Sequence, residues 1–559
     1  MEFIKKHHEV LIFTAILIVC YLLFFTNMGK YPLFDVDETR YVSMARDMLL
    51  NNNWMTLKLN NEFFFEKPPL YFWLVNSCFL LFGQISEAVA RIPGAICATV
   101  SVLMMYFSGK KVASNKFALF SALILATSFE FLMLARVAIL DIVLTAMIII
   151  STLSGFLTFF LEEKKKIIAW YAFYIFSALA VLTKGIPGFI VPFGTLFISY
   201  LFAGKVKDIF KIKYFVPGVI LFLLITLPWH IAMLQEHGHL FYREYIYKHH
   251  IERFVNSNEL GRKEPFYFYI LVFIAGFLPW TLFFISMLID KIKSCYVKTK
   301  SYFFENKEKS LASKWEDFNS LHKFLALNIV FFIFTFLFFS SSSTKLPTYI
   351  LPAFAPAAFL LGNYWVEHIV GLEHDRKIMI STIILNSVLV IAAIAAIFTP
   401  LYLSGDLLKD VNLFRTPVIV LLFVVPSIGI FASIVKQRML TFFTNIILVI
   451  GISLIGSLYV FNFICKFGEN DLINFAIKAK NDKVKLATYD FGRRYSLIYY
   501  YEGVIDFQTE NDVDWLKKYS SENPSAYVVV KLKNLESFDR NFKYKVVDTG
   551  KKYSLVKLK

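Results

Sequence analysis

The sequence predicts an all-α membrane bundle of about thirteen transmembrane helices with a small α/β domain at its C-terminal end, and three observations predict it. Hydrophobic side chains make up 57% of the 559 residues and mean hydropathy is +0.58, where soluble domains are roughly 45–50% apolar. Apolar stretches approaching the ~20 residues needed to cross a hydrocarbon core recur from residue 10 to residue 464. Beyond Cys465 the chain turns polar, with short β-rich runs between helix-like stretches.

Apolar windows place spans near 10–26, 88–108, 117–134, 140–160, 167–183, 186–203, 214–234 and 266–289, then 322–340, 349–369, 378–401, 416–435 and 441–464. The run Leu70 to Phe82 follows Pro68-Pro69 and is too short to span, so it is expected to lie at the interface. Leaving it out puts the basic loops around Lys110-Lys111, Lys164 to Lys166, Lys205 to Lys213, Lys291 to Lys323, Arg376-Lys377 and Lys436 to Arg438 on one side with the N-terminus, as the positive-inside rule prefers. An odd number of spans then sends the tail to the opposite, periplasmic side. The expected division is a membrane domain, 1–465, whose first outer loop, 27–87, carries interfacial helices, and a soluble domain, 466–559, with strands at 485–489, 526–532, 544–547 and 553–556. The first residues resemble a signal sequence with no small-residue cleavage site after Phe25, so an uncleaved anchor is expected.

The net charge of +16 reports orientation and contact with anionic lipid in such a protein, and nucleic acid is not an expected partner. Cys20, Cys78, Cys97, Cys295 and Cys465 are scattered without CxxC spacing, which predicts neither a disulfide framework nor a zinc ribbon.

Residues able to do chemistry collect in the outer loops. In PLFDVDETRYVSMARDML, Asp35 or Asp37 can cap a helix whose apolar positions recur at helical spacing; the acids either cap alone or meet substrate hydroxyl or ammonium groups. In EFFFEKPPLYFWL, two prolines fix where Glu66 and Lys67 point, and Lys67 either holds a phosphate or snorkels to the interface. Arg136 and Asp141 flank a turn at ARVAILD, where an ion pair between them is the plainest reading, and Lys184 lies in the next outer turn. The stretch EHGHLFYREYIYKHHIERF is rich in histidine: His250 and Arg253 share a helical face, suited to zinc, to phosphate or to anionic lipid. Lys345 and Tyr349 stand at the mouth of a span in SSSSTKLPTYILPAFAP. The threading puts all of these on one face, and acids with several cations at a lipid boundary suit a lipid-linked phosphate.

Five segments together, DVDETRYVSMARDML, FEKPPLYFWL, ARVAILDIVLTA, HHIERF and TKLPTYILPAFAP, resemble the aminoarabinose transferase branch of the GT-C, protein-mannosyltransferase-like superfamily over roughly residues 30 to 365. The resemblance implies transfer of a sugar from undecaprenyl phosphate to lipid A phosphate on the periplasmic face of the bacterial inner membrane. It further implies an acidic residue, Asp37, at the reacting centre with Glu38 and Arg40 beside it, and Asp141 near the sugar. Lys67, Arg253 and Tyr349 would hold the polyprenyl phosphate, and a structural zinc would sit near Glu66 and His250, or His249. Lys345 is expected to join the phosphate-binding set.

Leaving-group chemistry agrees, because a sugar phosphodiester departs as an anion that nearby Lys and Arg stabilise. The Asp35-x-Asp37 pair looks like the metal pair of nucleotide-sugar transferases but opens a membrane-surface helix, so no nucleotide cofactor is expected. The expected product is an inverted glycoside of an amino sugar, such as 4-amino-4-deoxy-L-arabinose or galactosamine, made by a monomer. The alternatives are the same scaffold transferring mannose or another sugar to protein or glycan, and a lipid-sugar transporter. The latter usually has ionisable groups in repeated, interrupted helices at mid-membrane, and no internal repeat is visible.

Overall fold

A computed structural model describes residues 2–252, 264–292, 315–371, 373–535, 538 and 542–558. Each of the thirteen apolar windows holds helix. Among the described residues nine helices are long and apolar enough to cross a membrane, or eleven when two bent pairs each count as one. The bent pairs are Asn115–Ala126 with Phe129–Ala135, at 67°, and Phe268–Gly276 with Thr281–Ile292, at 118°. Of the two remaining windows, 10–26 lies on the helix Glu2–Cys20 and its continuation Tyr21–Phe25, and 186–203 on the 17-residue Ile186–Phe202. Leu70–Phe82 is a 13-residue helix ended by Gly83 at φ 65°, with Leu80, Leu81 and Phe82 exposed.

Ion pairs mark one end of the bundle: Lys110 with Glu9, Lys205 with Glu316, Lys377 with Asp290 and Arg438 with Asp375. The opposite end holds the Asp37–Leu50 helix, the hairpin of β1 (Lys58–Leu59) and β2 (Glu62–Phe63), and the C-terminal sheet. The tail and the chain start therefore lie at different ends, as odd threading requires.

At the centre stands Leu140–Leu157, almost wholly buried. Its small polar face explains how neighbours approach so closely: Ser151 Oγ meets Ser177 Oγ at 2.7 Å, and a Cβ on Gly155 would press on Leu196 and Phe173.

The C-terminal strands are β3 (Leu486–Tyr489), β4 (Ile505–Gln508), β5 (Tyr527–Lys531), β6 (Tyr544–Thr549) and β7 (Tyr553–Leu558), in the order β4-β3-β5-β7-β6. β3 is parallel to β4 and β5, while β7 runs antiparallel between β5 and β6. Two apolar clusters cover the two faces, one built on Leu472, Phe475 and Leu497, the other on Leu516 and Tyr519. β4 is absent from the hydropathy reading because it is an edge strand of four residues in which Ile505 alone is fully buried.

Candidate active site

The acidic loop is clamped from two sides. Glu38 is buried and takes two 2.9 Å hydrogen bonds from the equally buried Arg91, while the Ala138 N–H donates to it at 2.5 Å. Arg91 also reaches the Met28, Tyr31 and Pro32 carbonyls and lies 4.0 Å over the Tyr31 ring. These bonds occupy both Glu38 oxygens and tie the helix start to the bundle. On the other side Asp35 accepts from Thr39 Oγ1 at 2.5 Å and from the Tyr495 and Ser496 N–H groups at 3.1 Å. Arg46 donates to the Ile498 and Tyr499 carbonyls at 3.0 and 2.6 Å, so the C-terminal sheet is docked on this loop.

Between the clamps Asp37 stands exposed in the first helical turn and pairs with Arg40 at 2.6 Å. The helix begins at Asp37 without a side-chain cap, so neither Asp35 nor Asp37 performs the capping expected of it. Arg40 is largely covered, lying over the rings of Tyr41, Phe64 and Tyr495. The buried Tyr41 hydroxyl is pushed up by desolvation, opposed by Arg40 and reinforced by the carboxylates of Asp37, Asp141 and Glu66. The charges of three acids from separate segments are therefore felt at one phenol.

Asp141 is delivered by the first turn of the buried central helix. Its Oδ1 accepts from Lys184 and, at 3.0 Å, from Thr348. Lys184 Nζ in turn lies 4.2 Å over the Tyr349 ring. Gly185 at φ 79° ends the Glu163–Lys184 helix immediately after Lys184, a conformation that favours glycine. Pro347 opens the turn that carries Thr348 and Tyr349. The expected Arg136–Asp141 pair is replaced: Arg136 is spent on the Leu23 and Thr26 carbonyls, because the turn points the two side chains apart and Lys184 reaches Asp141 from the neighbouring helix.

Lys67 is buried beside the half-buried Glu66 and donates to its carbonyl at 3.1 Å. Lys345 is buried too, donating to the Ser342 and Glu264 carbonyls at 2.7 and 3.0 Å. Burial pulls its ammonium below the ordinary lysine value, with Glu264 partly opposing. Arg253 lies outside the described residues, as do the side chains of His249 and His250. The sequence reading singles out neither Thr348 nor Tyr41, although both lie in its outer segments, and neither Glu130 nor Tyr269. Thr348 stands beside Tyr349 in the same motif, and Glu130 is a lone acid inside an apolar run, which is the available signal for it.

A family model described as dolichyl-phosphate-mannose-protein mannosyltransferase matches residues 66–231. An uncharacterized protein of Aquifex aeolicus is 30% identical over 386 residues, 68% of this chain and 69% of that one. An undecaprenyl phosphate-alpha-4-amino-4-deoxy-L-arabinose arabinosyl transferase of Proteus mirabilis is 27% identical over 70% of this chain and 66% of its own length. This chain belongs to the aminoarabinose transferase family of GT-C glycosyltransferases. The match to its Erwinia tasmaniensis relative, at 27% identity, likewise spans 65% of that transferase, so the chain covers just under two thirds of these curated enzymes. The transferase fold extends over the whole chain: ArnT from Cupriavidus metallidurans bound to undecaprenyl phosphate superposes with TM-score 0.73 at 18% identity, covering 99% of this chain and 98% of that one, and the apo form with 0.75. The chain is thus a multi-pass inner-membrane protein of this family.

Proposed function

We propose that this protein moves an amino sugar, such as 4-amino-4-deoxy-L-arabinose, from undecaprenyl phosphate to a phosphate of lipid A, at a site facing the periplasm. The observation that carries the reading is the Asp141–Lys184 pair, closed by Thr348 and the Tyr349 ring, together with the Asp37–Arg40 pair beside Tyr41, whose hydroxyl feels Asp37, Glu66 and Asp141. Acids and cations from five separate segments meet at one end of the bundle, where a lipid-linked substrate would arrive.

In this reading Lys67, Arg253, Lys345 and Tyr349 hold the donor phosphate. An oxygen of the acceptor phosphate attacks the anomeric carbon, the bond from that carbon to the donor phosphate oxygen breaks, and undecaprenyl phosphate leaves with the electron pair. The cations stabilise the charge that grows on the leaving phosphate. A phosphate monoester, with a second pKa of roughly 6, is already largely anionic at neutral pH, so Asp37 orients acceptor or sugar and abstracts no proton. Arg40 steadies Asp37, and Asp141, held by Lys184 and Thr348, faces the sugar. Glu38 belongs to the same constellation as its brace, since Arg91 and Ala138 use both its oxygens. One displacement inverts the anomeric centre.

The division into a membrane domain, 1–465, and a periplasmic domain, 466–559, belongs to this proposal, as does a monomeric enzyme. So does a structural zinc held by Glu66 and His250. Among the described residues the one cluster of three candidate metal ligands is Glu367, Glu373 and His374, at the other end, where Lys291 and Asn363 already engage Glu367. Zinc analysis of the purified protein before and after Glu66→Ala tests the proposed ion.

Mass spectrometry of lipid A from strains with and without the gene tests the function. The reading expects an amino-pentose or hexosamine increment on lipid A that disappears on deletion; an unchanged lipid A spectrum contradicts it and favours a protein or glycan acceptor.

A further inference from the structure

Glu130 has no evident structural employment. Both of its carboxylate oxygens are buried without a hydrogen-bond partner among the described residues, and no Lys, Arg or His of those residues pairs with it. Buried polar groups are normally satisfied, and an orphaned carboxylate inside a membrane bundle is costly unless a ligand or a proton meets it. The other buried acids of this end behave differently: Glu38 has Arg91, and Asp141 has Lys184 and Thr348.

Its location is equally specific. Glu130 begins the second half of one broken helix, and that half is pinned to the break of the other: Phe129 N–H donates to the Leu278 carbonyl at 2.9 Å, and Trp280 Nε1 donates to Thr127 Oγ1 at 3.0 Å. Gly276 leaves room for it, since a Cβ there would run into Glu130 Oε2 and the Phe354 ring. Interrupted helices are tolerated at membrane depth where they are buried in protein or line a cavity, and they commonly frame ionic ligands. On the same helix as Gly276, Tyr269 is fully buried, its hydroxyl set against the Leu346 backbone. That hydroxyl lies near Tyr349, Leu346, Glu130 and Asp141. The half-helices that carry Glu130 and Tyr269 both pack against the Pro347–Ala353 turn that carries Tyr349.

We propose that Glu130, with the Tyr269 hydroxyl beside it, forms the subsite that takes the ammonium group of the donor sugar. The inference rests on the reading of the protein as an amino-sugar transferase. Asp141 is already neutralised by Lys184, which leaves Glu130 as the carboxyl available to a new cation. In a 4-amino sugar the amine lies across the ring from the anomeric carbon, so a donor phosphate held around Tyr349 directs the amine toward the interior. The subsite would select amino sugars over neutral ones, because a hydroxyl in place of the ammonium leaves the carboxylate uncompensated.

The test uses the full-length protein in lipid nanodiscs with two donors, undecaprenyl phosphate-4-amino-4-deoxy-arabinose and the same lipid carrying a hydroxyl for the amine. In the wild type the amine donor is preferred in kcat/KM. In Glu130→Gln that preference falls at least about 10-fold, mainly through KM of the amine donor, and in Tyr269→Phe it falls about 3-fold. An unchanged donor ratio in Glu130→Gln overturns the subsite and leaves the functional reading intact. A wild type that ignores the amine donor overturns both. Should Glu130→Gln not fold, an unchanged ratio in Tyr269→Phe overturns the subsite in its place.

Discussion

Asp37 and Glu38 are adjacent acids with different employment, and the difference is burial. Glu38 is sealed against Arg91, so Glu38→Gln leaves an uncompensated buried guanidinium and should cost about 3 kcal/mol of stability, read as a lower thermal midpoint in detergent. Asp37 is exposed and its ionic partner among the described residues is Arg40, so Asp37→Asn should leave the midpoint unchanged and lower kcat by about 100-fold or more. Equal losses of stability in the two variants would refute this division. Sequence makes Asp37, Glu66, Lys67, Asp141, Lys345 and Tyr349 stand out, because charges and phenols beside apolar segments and prolines are conspicuous. It does not separate Asp37 from Glu38, since that depends on Arg91, 53 residues away. The Lys184–Asp141 pair, 43 residues apart, is hidden for the same reason: helix packing makes it, not spacing.

The flat Asp37–Leu50 helix and the Tyr495–Tyr501 helix form one unit through Asp35, Arg46 and Arg494. Arg46→Ala strips two charge-assisted hydrogen bonds, each contributing roughly 1.5–3 kcal/mol, and should speed protease cleavage near residue 468 several-fold; unchanged cleavage would show that the docking rests on other contacts. Glu469, behind Asp35, is pushed up to about 7 from 4.5 by burial, with the Asp35 charge adding to the effect. A carboxyl raised in the folded state favours docking below its unfolded value and loses that contribution as pH rises through its folded value. The docking should therefore weaken between about pH 4.5 and 7, seen as faster amide exchange over Tyr495–Tyr501. Glu469→Gln should reduce the dependence, the remainder belonging to Asp35, whose carboxyl burial also raises; a variant retaining it in full would assign the effect to another group. None of this contact is visible in sequence, because it joins residues more than 400 apart.

Across the molecule, hydropathy locates the helices well, since lipid imposes a length and a composition on each. It does not record the 67° and 118° bends or the 17-residue length of the Ile186–Phe202 helix, which are packing outcomes. The C-terminal sheet is legible where a strand is buried on both faces, as in β3 and β5, and illegible at the β4 edge. Parity is the most consequential inference: it joins the first loop, the Thr348–Tyr349 turn and the tail on one side of the bilayer, and the transfer reaction needs all three there. In a cysteine-free background, single cysteines at Asp37→Cys, Tyr349→Cys and Lys164→Cys can be probed in spheroplasts with a membrane-impermeant maleimide. Positions 37 and 349 should label in intact spheroplasts and position 164 only after permeabilisation. Labelling of position 37 from the cytoplasmic side alone, or of 37 and 349 from opposite sides, would contradict the account.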